Sequence, residues 1–354
     1  MAWAHESSPN LGVRVLAEGA AALVRRADPD AEVVTQVFGH GPSPINIGSP
    51  RSLARAILWD DRGFKSWIKQ FDLVIDTGAG DSFSDIYGLK RLRAFTAFGE
   101  AVRHCGIPLI LGPQTIGPFR TVQGRVIGRW SLRRADLVMV RDHVSGGVAA
   151  RMGRPAEVPT TDLVFALPVP ETGALGSLDV VVNVSGLLWA HDDHLPKENY
   201  RAVVRELLAG LAGRGREVTL LAHVLDSRFP DNDVPTVHSL AKEFGMRVVV
   251  PADVAEVRRL LRAARLVFGS RMHACLNSLS VGTPAIPLAY SRKFEPLLAD
   301  LGWPHVVDLN APHPAGQALD IADDADGLAE AAKAVRARAD LLLVDAEDAL
   351  KGFV

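Results

Sequence analysis

The chain has 354 residues, 48% hydrophobic and 23% charged, with a formal net charge of −2. This composition excludes a disordered chain, and the near-neutral charge provides no global field to draw in nucleic acid. Its length suffices for about two ordinary domains, each with its own core.

Cys105 and Cys275, far apart in apolar surroundings, exclude a disulfide framework and read as reduced thiols. The start lacks the basic flank and apolar stretch of a secretory signal, and no run reaches the ~18 apolar residues of a membrane span. The expectation is a cytoplasmic protein without a transmembrane segment, with peripheral association at the inner face of the membrane left open.

Along the chain, short β-rich runs alternate with longer helical patterns, which predicts α/β architecture with mainly parallel sheets. In the first half, strands are expected at 32–38, 71–77, 107–112, 136–140 and 162–167, and helices at 13–26, 89–104, 121–134 and 144–152. A helix opens near Gly12 with almost no strand before it. Residues 168–177, with Pro168, Pro170, Gly173 and Gly176, read as a linker. A second series follows, with strands at 179–185, 217–223, 247–250, 265–269 and 284–290 and helices at 199–213, 237–244, 254–264 and 272–281. The last helix is expected at about 327–350. The pattern predicts two Rossmann-like domains facing a cleft, residues 1–172 and 178–320, with 321–354 as a helical segment packing back across them.

Ligands in open α/β sheets bind beyond the carboxyl ends of strands, so the polar residues there are the candidates. In Gly269-Ser270-Arg271-Met272-His273-Ala274-Cys275, Ser270 is expected to cap a helix whose first turn holds Arg271 and His273. Such a turn seats a phosphate or carboxylate, and the imidazole adds proton transfer. A surface cation and a satisfied histidine would look the same. Gly78-Ala79-Gly80-Asp81-Ser82-Phe83-Ser84-Asp85 allows close backbone approach. Asp81 and Asp85 could orient sugar hydroxyls or act as a base, or simply cap a helix. The third glycine of a dinucleotide fingerprint is missing.

Gln114 stands after the third strand and Arg141 after the fourth, as an anion clamp, with Asp142 either functional or capping the next helix. Asn183 and Ser185 follow the first strand of the second half, and His223 closes its second. Asp231-Asn232-Asp233 reads either as a metal-binding D-x-D or as a solvated turn. Zinc spacing, a G-x-S-x-G elbow and a Walker A loop are absent from the sequence.

These segments together resemble the polysaccharide pyruvyl transferase family. The matching pieces are Asn10-Leu11-Gly12; Asp76-Thr77-Gly78-Ala79-Gly80 with Asp85 and Gly88; Gln114-Thr115-Ile116-Gly117-Pro118-Phe119; and Arg141-Asp142 with Ser145. They continue with Asn183-Val184-Ser185-Gly186-Leu187, His223 with Asp233, Ser270-Arg271-Met272-His273-Ala274, Gly282-Thr283-Pro284 and Tyr290-Ser291-Arg292-Lys293. Ala79 departs from the family's third consecutive glycine. The resemblance implies a GT-B-like pair of domains, the first on the acceptor side and the second on the donor side. It also implies pyruvyl transfer from phosphoenolpyruvate to two hydroxyls of a sugar, polymeric or lipid-linked, with no cofactor and no metal.

On that reading His273, Arg271 and Asp81 are catalytic. Phosphoenolpyruvate is bound by Arg271, Arg141, Lys293, Ser270, Asn183 and Ser185, and the acceptor by Asp85, Gln114 and His223. The rival readings are a nucleotide-sugar glycosyltransferase of the same fold and an inactive sugar-binding module of a polysaccharide assembly.

Overall fold

In the computed structural model, the described residues are 1–37, 45, 50–60, 63–172, 176–227 and 231–353. The chain divides into two compact units. Unit 1 comprises Met1–Ser8, Val13–Leu167 and Ala339–Val354, and unit 2 comprises Pro9–Gly12 and Pro168–Arg338.

Unit 1 carries β1 (Ala2–Trp3), β2 (Thr35–Gln36), β3 (Val74–Asp76), β4 (Leu109–Gln114), β5 (Leu137–Val140) and β6 (Val158–Pro159). They pair in parallel in the order β2-β1-β3-β4-β5-β6. Leu137-Val138-Met139-Val140 and Val74-Ile75 are buried throughout, as strands covered by helices on both faces must be. Trp3, at the end of β1, packs on Phe98 (ring centroids 3.8 Å apart) and Phe95, where the helix Leu89–His104 crosses the sheet.

Unit 2 carries β7 (Leu178–Asn183), β8 (Val218–Leu221), β9 (Arg247–Val249), β10 (Ala264–Gly269), β11 (Ala285–Ala289) and β12 (Val307–Asp308). Their order is β12-β11-β10-β7-β8-β9, again parallel. The order therefore reverses between β7 and β10, which pair from Ala264↔Leu178 to Gly269↔Asn183. A sheet of this kind opens its ligand crevice at that point, outside the carboxyl ends. In unit 1 the equivalent reversal lies between β1 and β3.

Several expectations are corrected. The strand expected at 162–167 is a 3-10 turn, Leu163–Ala166, because the Asp162 carboxylate caps it by accepting from Val164 N (3.0 Å). The sixth strand is β6 instead. At 32–38 only Thr35–Gln36 joins the sheet, and Phe38, like Gly173 of the linker, lies outside the described residues. β4 runs two residues further than expected, through a register irregularity between Leu111 and Gln114. The two-residue β1 and β12 are too short for any periodicity to reveal, as are the helices Phe64–Ile68 and Gly186–Ala190. The final helix spans Ala325–Leu350 and is counted with unit 2 up to Arg338 and with unit 1 from Ala339.

Candidate active site

The reversal between β7 and β10 places Asn183, Ser185, Ser270, Arg271 and His273 together. Asn183 ends β7; its Nδ2 donates to Leu221 O (3.0 Å) and its Oδ1 accepts from Arg271 N (3.0 Å). Its amide thus ties β8, β7 and the turn after β10 into one frame. Ser270 is not the helix cap. Arg271 takes that position in extended backbone, without a side-chain cap, ahead of the helix Met272–Ser280. Ser270 Oγ instead accepts from the Tyr200 hydroxyl (2.7 Å), which itself accepts from Ser185 N (2.9 Å). Ser185 Oγ caps the helix Gly186–Ala190 by accepting from Leu188 N. Asn183, Ser185 and Ser270 are therefore buried scaffold. Burial holds the Tyr200 phenol far above its ordinary pKa, so it acts as a neutral strut.

Arg271 is buried against Asp233. Its Nη2 and Nε donate to Asp233 Oδ1 (2.6 and 3.2 Å), and Nη2 also reaches the Asp231 carbonyl. Nη1 lies 3.8 Å from Asp231 Oδ2 and makes no hydrogen bond among the described residues. Although burial opposes the charge, Asp233 holds the Arg271 pKa above its ordinary value. Asp233 Oδ1 further accepts from Gly186 N (2.8 Å), and Oδ2 from His223 N (3.1 Å) and Val224 N (2.9 Å). This fully used carboxylate corrects the D-x-D reading: it serves an arginine and three amides. Among the described residues no three His, Cys, Asp or Glu side chains are grouped to hold a metal.

His273 is half-buried in the first turn of its helix. The Asn10-Leu11-Gly12 segment lies against it, with Leu11 N donating to His223 O (3.1 Å). A Cβ on Gly12 would sit 2.8–2.9 Å from the His273 Cβ, Cγ and Nδ1, so glycine is required for the ring to lie there. Beneath it, Asn277 accepts on Oδ1 from Arg258 Nη1 (3.4 Å) and donates from Nδ2 to His273 O (2.8 Å). An arginine only donates and a carbonyl only accepts, so the amide orientation is fixed. Asn277 Nδ2 also faces His223 Nε2 (3.3 Å), which must accept and leave the ring proton on Nδ1. Burial first, then His273 and Arg271, lower the His223 pKa to about 3. His223, expected from sequence at the acceptor, is here a buried, neutral support beneath His273.

Lys293 precedes the helix Phe294–Asp300, and Tyr290 packs between Phe294 and His194 (centroids 5.8 and 5.0 Å). Sequence reasoning passed over His194. Burial, Lys293 and Arg271 lower its pKa, against Asp193, so it stands in the field of the same cations. A cavity of about 770 Å³ adjoins this turn, walled by Tyr290, Ser291, Arg292, Glu295, Trp303 and Asp308.

The remaining candidates belong to unit 1. Arg141 is buried; its Nη1 donates to Asp162 Oδ2 (2.7 Å) and its Nε to Thr115 Oγ1 (2.9 Å). As an anion clamp it is already occupied by a carboxylate. Gln114 Nε2 donates to Asp76 O (3.1 Å), and its buried Oε1 has no hydrogen-bond partner among the described residues. Gly78 (φ +55°) makes room for that oxygen, which a Cβ would meet at 1.6 Å. Asp81 Oδ2 accepts from the Tyr87 hydroxyl (2.6 Å).

Asp85 accepts from Arg120 N, Thr121 N and Thr121 Oγ1 (2.7–2.8 Å). Burial pushes its carboxyl pKa up, but these donors outweigh it and leave it low. Asp85 therefore secures the loop before the helix Val122–Arg134. Asp142 caps the helix His143–Arg151 through Ser145 N (2.7 Å), the structural one of its two readings. Asp76 accepts from Gly78 N (2.8 Å), yet burial pushes its carboxyl up to about 7. Sequence offers no sign of that shift, which arises from packing alone.

Residues 10–292 match the polysaccharide pyruvyl transferase family. The chain belongs to that family. "Amylovoran biosynthesis protein AmsJ" of Erwinia amylovora is 23% identical over 265 residues, 69% of this chain and 62% of that protein. The chain thus spans less than two thirds of this relative's length.

Solved structures show the same GT-B-like fold. UDP-GlcNAc 2-epimerase of Neisseria meningitidis superposes with a TM-score of 0.59 at 11% identity, covering 95% of this chain and 97% of that one. Anabaena Alr3699/HepE gives 0.51 at 13% identity, covering 94% of each chain. At such identities the likeness is one of fold alone. No helix among the described residues is long and apolar enough to cross a membrane.

Proposed function

We propose that this pyruvyl transferase family member moves the pyruvyl group of phosphoenolpyruvate onto two hydroxyls of a sugar, giving a cyclic ketal and inorganic phosphate. The observation that carries the proposal is Arg271 beside His273 at the sheet reversal of unit 2, with Lys293 on the neighbouring loop. Phosphoenolpyruvate bears a phosphate and a carboxylate. The Nη1 edge of Arg271, which makes no hydrogen bond among the described residues, suits one oxyanion, and Lys293 supplies a point charge for the other.

The reaction begins with a proton delivered to the methylene carbon, which leaves C2 electrophilic. A sugar oxygen adds to C2 and gives up its proton. The C2–O bond to phosphate then breaks, and the second sugar oxygen adds to C2. Of the two hydroxyl protons, one balances the new methyl group and the other leaves with phosphate. His273, in the first turn of the helix beside Arg271, is the acid/base group for the methylene proton. Its neighbour His223, held neutral, adds no competing positive charge. The cavity beside Tyr290 has the size of a small-ligand site and offers hydroxyl, carboxylate and guanidinium groups to an acceptor sugar.

The decisive experiment incubates the chain with phosphoenolpyruvate and candidate glycosides, free and lipid-linked. It looks for the mass of a pyruvyl ketal and for stoichiometric phosphate. Turnover with a nucleotide sugar and none with phosphoenolpyruvate would overturn the reading. His273→Ala should lower the rate of phosphate release by roughly 10²–10⁴-fold. Near wild-type turnover would remove His273 from the mechanism.

A further inference from the structure

The helix Val122–Arg134 of unit 1 turns an unusual face to solvent. Its inward side is Gly124, Gly128 and Leu132, all buried. On the other side Val122, Val126 and Trp130, spaced by four residues, are 68%, 64% and 54% exposed. Four-residue steps keep them on one face, in a line of about 12 Å. Arg125, Arg129 and Arg133 occupy the same outward face, and Arg120 precedes it. No acidic residue occurs from 120 to 134.

Among the described residues Arg120, Arg129 and Arg133 have no carboxylate partner, and Arg125 donates only to the Phe119 and Arg120 carbonyls. Trp130 is fixed rather than loose: its Nε1 donates to Glu100 Oε1 (3.0 Å), which also pairs with Arg134. Arg93 extends the basic surface, tied to the helix through Gln123 (3.1 Å).

A chain of net charge −2 thus concentrates positive charge around an apolar line. We propose that this face docks on an anionic membrane surface. The valines and the indole enter the boundary between headgroups and acyl chains, while the flanking guanidinia reach the lipid phosphates. A soluble polyanion would use the arginines but has no need of the exposed valines, and the valines decide the choice. Docking would bring the enzyme to acceptors carried on lipid.

The test is co-sedimentation of the full chain with phosphatidylcholine vesicles and with mixed phosphatidylcholine–phosphatidylglycerol vesicles, at low and high salt. Phosphoenolpyruvate and acceptor are left out, so the outcome is independent of the proposed reaction. Binding is expected only to the anionic vesicles and should weaken with salt. Arg129→Gln with Arg133→Gln should weaken it by about fivefold per arginine. Val122→Ser with Val126→Ser should also release the protein, with circular dichroism unchanged. Equal binding to neutral vesicles, or no binding by the wild type, overturns the proposal. Loss in the arginine variant with none in the valine variant overturns it in favour of a soluble polyanion such as an acidic polysaccharide.

Discussion

Asp233 Oδ1 accepts from the Arg271 guanidinium and the Gly186 amide, while Oδ2 accepts from the amides of His223 and Val224. An asparagine could keep one of these sides but would turn an N–H donor towards the other. It would also leave the buried, charged Arg271 without its hydrogen-bonded counterion, with only the Asp231 carboxylate 3.8 Å away. Asp233→Asn should therefore lose roughly 3–5 kcal/mol of stability, the range for breaking one side of a buried pair. Urea denaturation measures it, and a loss below about 1 kcal/mol would show that the pair carries little of the site. Arg271 and Arg141 were both legible in the sequence as cations after strands. That each already holds a carboxylate was not, because the partners Asp233 and Asp162 lie 38 and 21 residues away. The Asp142 cap, by contrast, was readable within the four residues 142–145, since its partner is local.

Most elements longer than about nine residues were placed well from periodicity alone, as the helix Leu89–His104 shows in full, but the ten-residue helix Pro50–Trp59 was not anticipated. Strands of two residues carry no period, and neither does the choice of neighbours. The reversal between β7 and β10 that gathers the site depends on sheet order, which alternation along the chain does not encode. Gly12 joins both levels: it opens the helix Leu11–Ala27, yet its role is to let His273 approach the backbone. Gly12→Ala, conformationally mild for a helix, should displace the imidazole and lower kcat by about 10²-fold, with the phosphoenolpyruvate KM little changed. Phosphate-release kinetics would show it. Parallel loss of donor affinity, or no loss at all, would mean the ring's position is not set there.

Over the whole molecule, two buried groups give stability opposite dependences on pH. The Asp76 carboxyl is raised to about 7 from an ordinary 3.8, so between those values the folded chain keeps a proton the unfolded chain has released. Stability from this group is full below pH ~4 and falls as pH rises towards 7. His223 is lowered to about 3 from 6.5, so over that interval the unfolded chain binds the extra proton. Its contribution is full above pH ~6.5 and falls as pH drops towards 3.

Each effect has a slope of about 1.4 kcal/mol per pH unit, and from pH ~4 to 6.5 they oppose one another. Asp76→Asn keeps an oxygen for Gly78 N and removes the titration, so stability measured by urea at pH 4.5, 5.5 and 6.5 should rise with pH. His223→Gln keeps an acceptor for Asn277 and should fall over the same series. Because Asp76 belongs to unit 1 and His223 to unit 2, separate melting of the units would assign each slope to its own transition. Two variants with identical pH profiles would show that neither group is held at its displaced pKa by burial.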